Sequence, residues 1–308
     1  MTGDNQRIVD ATSTGFVEFG EWQTWYRITG DLSSGIAPLV VAHGGPGATH
    51  DYVLTIADIS RSGRPVIHYD QLGNGRSTHL PERGADFWTV GLFLDELDNL
   101  LDRLGVSRAY HFLGQSWGGM LGAEHGIRRP RGLRSLTLSD SPASMRLWLI
   151  AAAELRAQLP ADVQETLTRH EADATTDSSE YLAAMDVFYD RHVCRVLPRP
   201  PELVRSFAAI AEDPTVYHTM NGPSEFHVIG TLKSWTVIDA AHKITAPTLL
   251  ISGAFDEAMP STIQPFADAI PNVRWRIFEE SSHVPHIEER QAYMQLVESF
   301  LEEHDSPE

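Results

Sequence analysis

The stretch Tyr110-His111-Phe112-Leu113-Gly114-Gln115-Ser116-Trp117-Gly118-Gly119 decides the fold class of this 308-residue chain. Its first four residues form a short apolar run typical of a buried strand, and residues 120–129 can continue as a helix. Between the two lies the pattern G-x-S-x-G, whose glycines at 114 and 118 leave room for a tight turn from strand to helix. Such a turn lifts the hydroxyl of Ser116 clear of the sheet. The sequence therefore predicts that Ser116 is an exposed nucleophile.

Short apolar runs recur along the chain and alternate with helical patterns such as Phe93 to Leu101. Uninterrupted runs suit strands that are buried on both faces, as in a parallel sheet. Two strand-like stretches on either side of Gly20-Glu21 also predict an N-terminal hairpin. The predicted strands cover residues 16–19, 23–28, 39–42, 66–69, 110–113, 136–138, 248–251 and 273–278. The alternation predicts an α/β protein with a mostly parallel, doubly wound sheet.

The alternation breaks between about Ser141 and Asp239. That segment is rich in helix formers, lacks a convincing buried strand and contains Pro198-Arg199-Pro200-Pro201. Because strands resume after it, we expect a helical insertion carried on the sheet rather than an independent domain. The predicted division is a core formed by residues 1–140 and 239–308, with residues 141–238 as an inserted helical cap, or lid, over the carboxyl edge of the sheet.

A serine hydroxyl is a poor nucleophile at neutral pH and needs a base, which in turn needs a carboxylate to orient it. In sheets that carry a G-x-S-x-G turn, the chain order is serine, then acid, then histidine. Asp256 follows the predicted strand 248–251, and His283 follows the predicted strand 273–278. Both residues come just beyond the carboxyl ends of strands, where the site of an open α/β sheet lies. The sequence predicts a triad of Ser116, His283 and Asp256.

Other residues of the same types are weaker candidates for these roles. His286 lies three residues after His283, where the next helix is expected to have begun, and is interpreted as a supporting or packing residue. Asp239 precedes the predicted strand 248–251, and Asp268 lies in a predicted helix. Neither aspartate is at the carboxyl end of a strand.

The segment His43-Gly44-Gly45-Pro46-Gly47 directly follows a predicted strand. It is similar to the glycine loops that donate a backbone N–H group to the oxyanion in acyl transfer. The residue after the nucleophile supplies the second donor in such sites. We therefore expect the N–H groups of Gly45 and Trp117 to form an oxyanion hole.

Composition limits the other possible functions. The chain has 24 basic and 42 acidic side chains, a net charge of −18, which disfavours binding to nucleic acid or to an anionic membrane. Residues 1–7 lack the pattern of a secretory signal, and no apolar run approaches 18 residues. The single cysteine, Cys194, excludes an internal disulfide and predicts a reducing, cytoplasmic setting, with the residue itself buried in the core. No metal-binding or phosphate-loop motif is present, so no metal or other cofactor is expected.

Six motifs occur together across nearly the whole chain, at residues 43–47, 70–77, 114–119, 217–226, 256–257 and 282–283. In combination they resemble those of the proline iminopeptidase family. This resemblance implies the α/β-hydrolase fold and a serine hydrolase that cleaves the amide or peptide bond after an N-terminal L-amino acid, such as proline, without a metal. It also implies that Glu225 and Glu257 bind the free α-amino group of a small-molecule or short-peptide substrate. Tyr217 would assist them, and Gly44 of the glycine loop belongs to the same substrate site.

One departure from the family pattern favours a particular branch. Many proline iminopeptidases carry arginine and cysteine where this chain has Leu72 and Asn74. The resemblance is therefore strongest to L-proline amide hydrolases (L-amino acid amidases) and tricorn-associated aminopeptidases. An esterase, thioesterase or lactonase with the same triad is the nearest alternative, and a non-catalytic ligand receptor on the same scaffold is a second. The preferred amino acid and the oligomeric state stay open.

Overall fold

The computed structural model describes residues 8–305. Residues 1–7, in which no secretory signal is predicted, lie outside this range. The fold centres on one eight-stranded sheet in the order β1-β2-β4-β3-β5-β6-β7-β8. Its strands are β1 (Ser13–Phe19), β2 (Trp22–Thr29), β3 (Leu39–Ala42), β4 (Val66–Tyr69), β5 (Tyr110–Gln115), β6 (Leu133–Ser139), β7 (Thr248–Gly253) and β8 (Val273–Phe278).

The sheet is mostly parallel, as the uninterrupted apolar runs predict. β1 and β2 form the predicted antiparallel hairpin, and β2 is also antiparallel to β4. All pairings from β4 to β8 are parallel. The carboxyl ends of these strands therefore meet at one edge of the sheet, where the residues that follow them can be brought together.

Helices cover both faces of the sheet. Because side chains alternate along a strand, Val40 and Ala42 pack into one hydrophobic core while Leu39 and Val41 pack into the other. The helices are α1 (Val90–Arg103), α2 (Trp117–Ile127), α3 (Met145–Arg156), α4 (Ala161–Ala172), α5 (Ser179–His192), α6 (Pro201–Glu212), α7 (Thr215–Met220), α8 (Pro260–Ala269), α9 (Pro285–Glu288) and α10 (Arg290–Glu303). A 3-10 helical segment of 13 residues covers His50–Ser62, and short 3-10 helices cover Leu32–Ser34, Thr231–Ser234 and Ala241–Lys243.

The segment between β6 and β7 is helical. It contains α3 to α7, and residues of α3, α4 and α5 form a hydrophobic cluster around Leu167, Tyr181 and Phe188. Its attachment to the sheet includes a hydrogen bond from the N–H of Thr49 to Oγ of Ser206 in α6, at 3.0 Å. The division into a core and a cap at residues 141–238 stays a prediction.

Two further expectations concern single features. Cys194 is buried in the core, and burial raises the pKa of its thiol to about 11. Within residues 8–305, the helices are all too short or too polar to cross a lipid bilayer.

Candidate active site

Ser116 occupies the sharp turn between β5 and α2. Its backbone has φ 55° and ψ −121°, a conformation that costs of the order of 1–3 kcal/mol for a residue with a side chain. The turn places Ser116 at the start of α2, where the first backbone N–H groups of the helix have no partner within it. Ser116 lines a cavity at the carboxyl edge of the sheet, but it is buried rather than exposed as the sequence predicts, because residues such as Phe207 and Glu225, from the segment between β6 and β7, line the same cavity.

The two glycines of the G-x-S-x-G pattern make the turn possible by their lack of a side chain. A Cβ atom on Gly114 would lie 2.0 Å from the carbonyl oxygen of Gly118, and one on Gly118 would lie 2.2 Å from that of Ala42. These distances are far inside van der Waals contact. Packing thus requires glycine at both positions, because only residues without a side chain allow α2 to lie directly against β5 and β3.

His283 and Asp256 lie together, as the sequence predicts. Nδ1 of His283 is 2.7 Å from Oδ1 of Asp256, and the same oxygen accepts a hydrogen bond from the N–H of Ala258 at 2.8 Å. Burial alone would lower the pKa of His283, but the negative charge and hydrogen bond of Asp256 outweigh it, and the pKa is raised. His283 lines the same cavity as Ser116. The arrangement is that of a base held in one orientation by a buried carboxylate.

The rival residues lie elsewhere. His286 is fully buried in α9 with Nε2 3.0 Å from the carbonyl oxygen of Tyr52, and burial lowers its pKa to about 3. It is a packing residue, as predicted. Asp239 precedes β7, and Asp268 in α8 accepts a hydrogen bond from Gln264.

The glycine loop after β3 approaches the nucleophile. Gly45, whose φ is 109°, lines the cavity next to Ser116 and is joined to Pro46 by a cis peptide bond. Trp117 follows the nucleophile and donates its indole N–H to Oε1 of Gln71 at 2.8 Å. The N–H of Gly44 donates to the hydroxyl of Tyr52 at 2.6 Å, and Gly44 is not among the residues lining the cavity, so its place in the substrate site stays a prediction.

Two glutamates approach the nucleophile from different segments. Glu225, from the loop after α7, and Glu257, beside Asp256, both line the cavity that contains Ser116. The hydroxyl of Tyr217 donates to Oε1 of Glu225 at 2.6 Å. The structure therefore brings together three of the four residues assigned to the substrate site by resemblance.

Glu257 is 2% exposed, and neither of its oxygens accepts a hydrogen bond from any group in residues 8–305. Its Oε1 is 3.7 Å from Nε2 of His283. Burial, and then the charges of Glu225 and Asp256, raise its pKa well above the ordinary value. Burial also raises the pKa of Glu225 against the opposing effect of the hydrogen bond from Tyr217. The site thus contains two acids whose pKa values are raised by burial and whose remaining oxygens can accept further hydrogen bonds.

Several residues of the site carry no signal in the sequence. The hydroxyl of Tyr52 donates to Oε1 of Gln115, and Nε2 of Gln115 donates to the carbonyl oxygen of His283 at 2.8 Å. The indole N–H of Trp148 donates to the carbonyl oxygen of Glu225 at 2.6 Å, and its ring lies edge-on to His283 with centroids 5.9 Å apart. These contacts link segments that are far apart in the chain, and only Gln115 lies within a recognisable motif.

The cavity itself is small, about 40 Å³. Besides the polar residues already described, its wall is mostly apolar and includes Ala48, Val193, Leu203, Phe207, Ile210 and Val284. In the described part of the chain, no three histidine, cysteine or acidic side chains are grouped so that they could hold a metal ion.

This combination of sheet, turn and acid–base pair defines the class of protein. A family model described as the alpha/beta hydrolase fold matches residues 37–290. The proline iminopeptidase of Heyndrickxia coagulans is 36% identical over 273 residues, which cover 88% of this chain and 92% of that protein.

Two solved structures are similar over nearly the full length. The crystal structure of proline iminopeptidase from Mycobacterium smegmatis has 52% sequence identity and a TM-score of 0.89, covering 95% of this chain and 99% of that one. The crystal structure of VinJ has 56% identity and a TM-score of 0.95, covering 96% and 100%. The chain belongs to the proline iminopeptidase family of α/β-hydrolases, and it is an enzyme of the hydrolase class.

Proposed function

We propose that this enzyme is a serine aminopeptidase and amidase that cleaves the C–N bond after an N-terminal L-amino acid, of the proline type, in amides and short peptides. The observation that carries the proposal is the pair of Glu257, which is buried, and Glu225, which is half-buried, beside Ser116 in the wall of one cavity. The relatives named proline iminopeptidase support the same reaction class.

The chemistry of the two glutamates fits a substrate with a free α-amino group. An ammonium offers three hydrogen-bond donors and a full positive charge. Each charge-assisted hydrogen bond contributes about 1.5–3 kcal/mol, and more where water is excluded. Glu257 has both oxygens available and Glu225 one, because Tyr217 already donates to its Oε1. A neutral ester or lactone would leave these acids without a partner.

The proposed mechanism is acyl transfer through Ser116. His283 takes the proton of the serine hydroxyl through Nε2 as Oγ attacks the substrate carbonyl carbon, while Asp256 stabilises the imidazolium. The N–H groups of Gly45 and Trp117 stabilise the resulting oxyanion, each contributing about 3 kcal/mol to the transition state. His283 then gives its proton to the leaving nitrogen, and ammonia or an amine departs. Water, deprotonated by His283, hydrolyses the acyl-enzyme, and the serine regains its proton.

The helical segment would act as the cap of this site. Glu225 and Tyr217 come from it, whereas the triad follows strands of the sheet. The small cavity favours a compact acyl residue. The substrate is thus a small molecule or short peptide. The amidase branch, a cytoplasmic location and the absence of nucleic-acid or membrane partners stay predictions, as does the absence of a cofactor.

The first experiment tests the nucleophile. Ser116→Ala is expected to abolish hydrolysis of L-prolinamide and labelling by a fluorophosphonate probe, with circular dichroism unchanged. Turnover at the wild-type rate by this variant would contradict the mechanism. A wild-type protein that the probe never labels would favour a non-catalytic receptor.

The second experiment tests the amino-group site. Glu225→Gln and Glu257→Gln keep the size of each side chain and remove its charge. We expect each to lower kcat/KM on L-prolinamide by about 100-fold, equivalent to ~2.7 kcal/mol. On p-nitrophenyl acetate, which has no amino group, the loss should stay within about 3-fold. Equal losses on both substrates, or none on either, would instead favour the esterase, thioesterase or lactonase alternative.

A further inference from the structure

Asp140 is a buried carboxyl group that the proposed mechanism does not use. It follows β6 directly, with φ 53°, and its side chain is completely buried. Its N–H donates to the carbonyl oxygen of Ile251 in β7 at 2.8 Å, which holds it beside the strand that leads to Asp256. Asp140 therefore occupies the same sheet edge as the triad, one strand away from the triad acid.

The contacts of Asp140 leave one oxygen for Asp256. Its Oδ2 accepts a hydrogen bond from Oγ of Ser139 at 2.6 Å, and the hydroxyl of Tyr293 donates to Ser139 Oγ at 3.1 Å. Oδ1 of Asp140 and Oδ2 of Asp256 are both buried and accept no hydrogen bond from any N–H or O–H group of residues 8–305. The two carboxyl groups are within hydrogen-bond reach of each other.

A hydrogen bond between two carboxyl groups requires a proton on one of them, since two carboxylates are acceptors only. Oδ1 of Asp256 accepts from both His283 Nδ1 and the N–H of Ala258, which favours the ionised form of Asp256. Asp140 accepts from only one hydroxyl. Burial, and then the charge of Asp256, raise the pKa of Asp140 well above its ordinary value. The proton belongs on Asp140.

We propose that Asp140 is a positioning residue for the triad: a neutral carboxylic acid that donates from Oδ1 to Oδ2 of Asp256. This inference rests on the proposed triad. The donated hydrogen bond fixes the rotation of the Asp256 carboxylate, so that its other oxygen stays on Nδ1 of His283. It also draws charge from Asp256 and so limits how far Asp256 raises the basicity of the imidazole.

The surroundings support a single negative charge at this pair. Asp256 and Glu288 are among the ionisable groups whose charges act on Asp140, and the charge of Asp140 acts on Tyr293 and Tyr52. Tyr293 and Tyr52 are buried, and burial raises the pKa of each hydroxyl, so both stay neutral. The charges of Asp256 and Glu288 would repel a second carboxylate at this position. A neutral Asp140 removes that repulsion.

The test compares Asp140→Asn with Asp140→Ala. Asparagine mimics the protonated acid, because its amide can donate to Asp256 and its oxygen can accept from Ser139. We expect it to keep kcat within about 3-fold of the wild type, with the acid limb of the kcat/KM profile unmoved. Alanine removes the donor, so kcat should fall by about 10–100-fold with KM little changed, and the acid limb should move to higher pH.

Asp268→Asn, on the exposed face of α8, is the matched control and should leave every parameter at the wild-type value. If Asp140 were ionised, Asp140→Asn would remove a negative charge and shift the acid limb to lower pH, which would overturn the proposal. A wild-type kcat in a folded Asp140→Ala variant would also overturn it.

Infrared spectroscopy of the resting protein gives a reading that is independent of activity and of the alanine variant. At neutral pH, the difference spectrum of the wild type minus Asp140→Asn should contain the carbonyl stretch of one protonated carboxylic acid. Bands from other buried acids with raised pKa values, such as Glu96 and Glu257, are common to both proteins and cancel. Absence of this carbonyl band from the difference spectrum would overturn the proposal. If Ser116→Ala left turnover intact while the band behaved as expected, the proposed function would fail and the shared proton would stand.

Discussion

Replacing Glu257 by glutamine should stabilise the free protein while it disables the proposed amino-group site. Glu257 is 2% exposed and its two oxygens accept no hydrogen bond within residues 8–305. A buried polar group without a partner costs about 1–3 kcal/mol, and more when it is charged. If Glu257→Gln removes about 2 kcal/mol of this cost, the Tm of a chain of 308 residues should rise by about 3 °C.

The effect should depend on pH, and its sign follows from the raised pKa. A carboxyl group whose pKa is higher in the folded than in the unfolded state favours folding while it is protonated. That contribution is complete below the unfolded pKa, about 4.3, and is lost as the pH rises toward the raised folded value. Glutamine cannot ionise. The stability difference between Glu257→Gln and the wild type should therefore be larger at pH 8 than at pH 4.5.

The assay is urea unfolding, with calorimetry, at both pH values. Glu165→Gln, an exposed change of the same type in α4, is the control and should alter the free energy of unfolding by less than about 0.5 kcal/mol. A Glu257→Gln variant that is no more stable than the wild type at pH 8 would refute the reasoning. So would an equal gain at both pH values, because the glutamate would then not be titrating in a desolvated site.

Three further predictions concern the geometry around the nucleophile. Gly118→Ala should prevent the turn from forming, because its methyl group would overlap the carbonyl of β3 at 2.2 Å, and the outcome to measure is loss of soluble, folded enzyme. Tyr52→Phe leaves Oε1 of Gln115 and the N–H of Gly44 without their hydrogen-bond partner. We therefore expect the free energy of unfolding in urea to fall by about 1–3 kcal/mol, together with a lower kcat. In the proposed mechanism, substrate ammonium offsets the charge of Glu225, one of the groups that raise the pKa of His283. With L-prolinamide, the acid limb of kcat should therefore lie at lower pH than that of kcat/KM; coincident limbs would argue against this coupling.

The strands could be predicted because they depend on short-range patterns, and the same patterns select the three residues of the proposed triad. Strands buried on two faces leave uninterrupted apolar runs, as in Leu39–Ala42, and parallel pairing then gathers their carboxyl ends at one edge. Once Ser116 is fixed by two glycines, only a few acids and histidines follow a later strand. The structure brings together the acid and the histidine chosen by chain order, since Nδ1 of His283 lies 2.7 Å from Oδ1 of Asp256.

The rest of the site could not be predicted from local patterns, because it depends on contacts between distant segments. Tyr52 and Gln115 are 63 residues apart, and nothing in the sequence around either residue indicates that the two are hydrogen-bonded. Asp140 follows a strand just as Asp256 does, yet the sequence alone assigned it no role. Glu225 was identified only through a family resemblance, and its position beside Glu257 in the cavity wall is a result of tertiary packing.

Four carboxyl groups therefore meet at this edge of the sheet with four different environments. Oδ1 of Asp256 accepts hydrogen bonds from His283 and from the N–H of Ala258, and the proposed proton on Asp140 leaves a single negative charge on the two aspartates. Glu225 accepts from a tyrosine, whereas Glu257 accepts from nothing in the described chain. An ammonium is the one common group that would satisfy the last two while reducing the field at His283. In the proposed mechanism, the preference for substrates with a free α-amino group then arises from the balance of charges around His283. The shape of the cavity limits only which amino-acid side chain the substrate can carry.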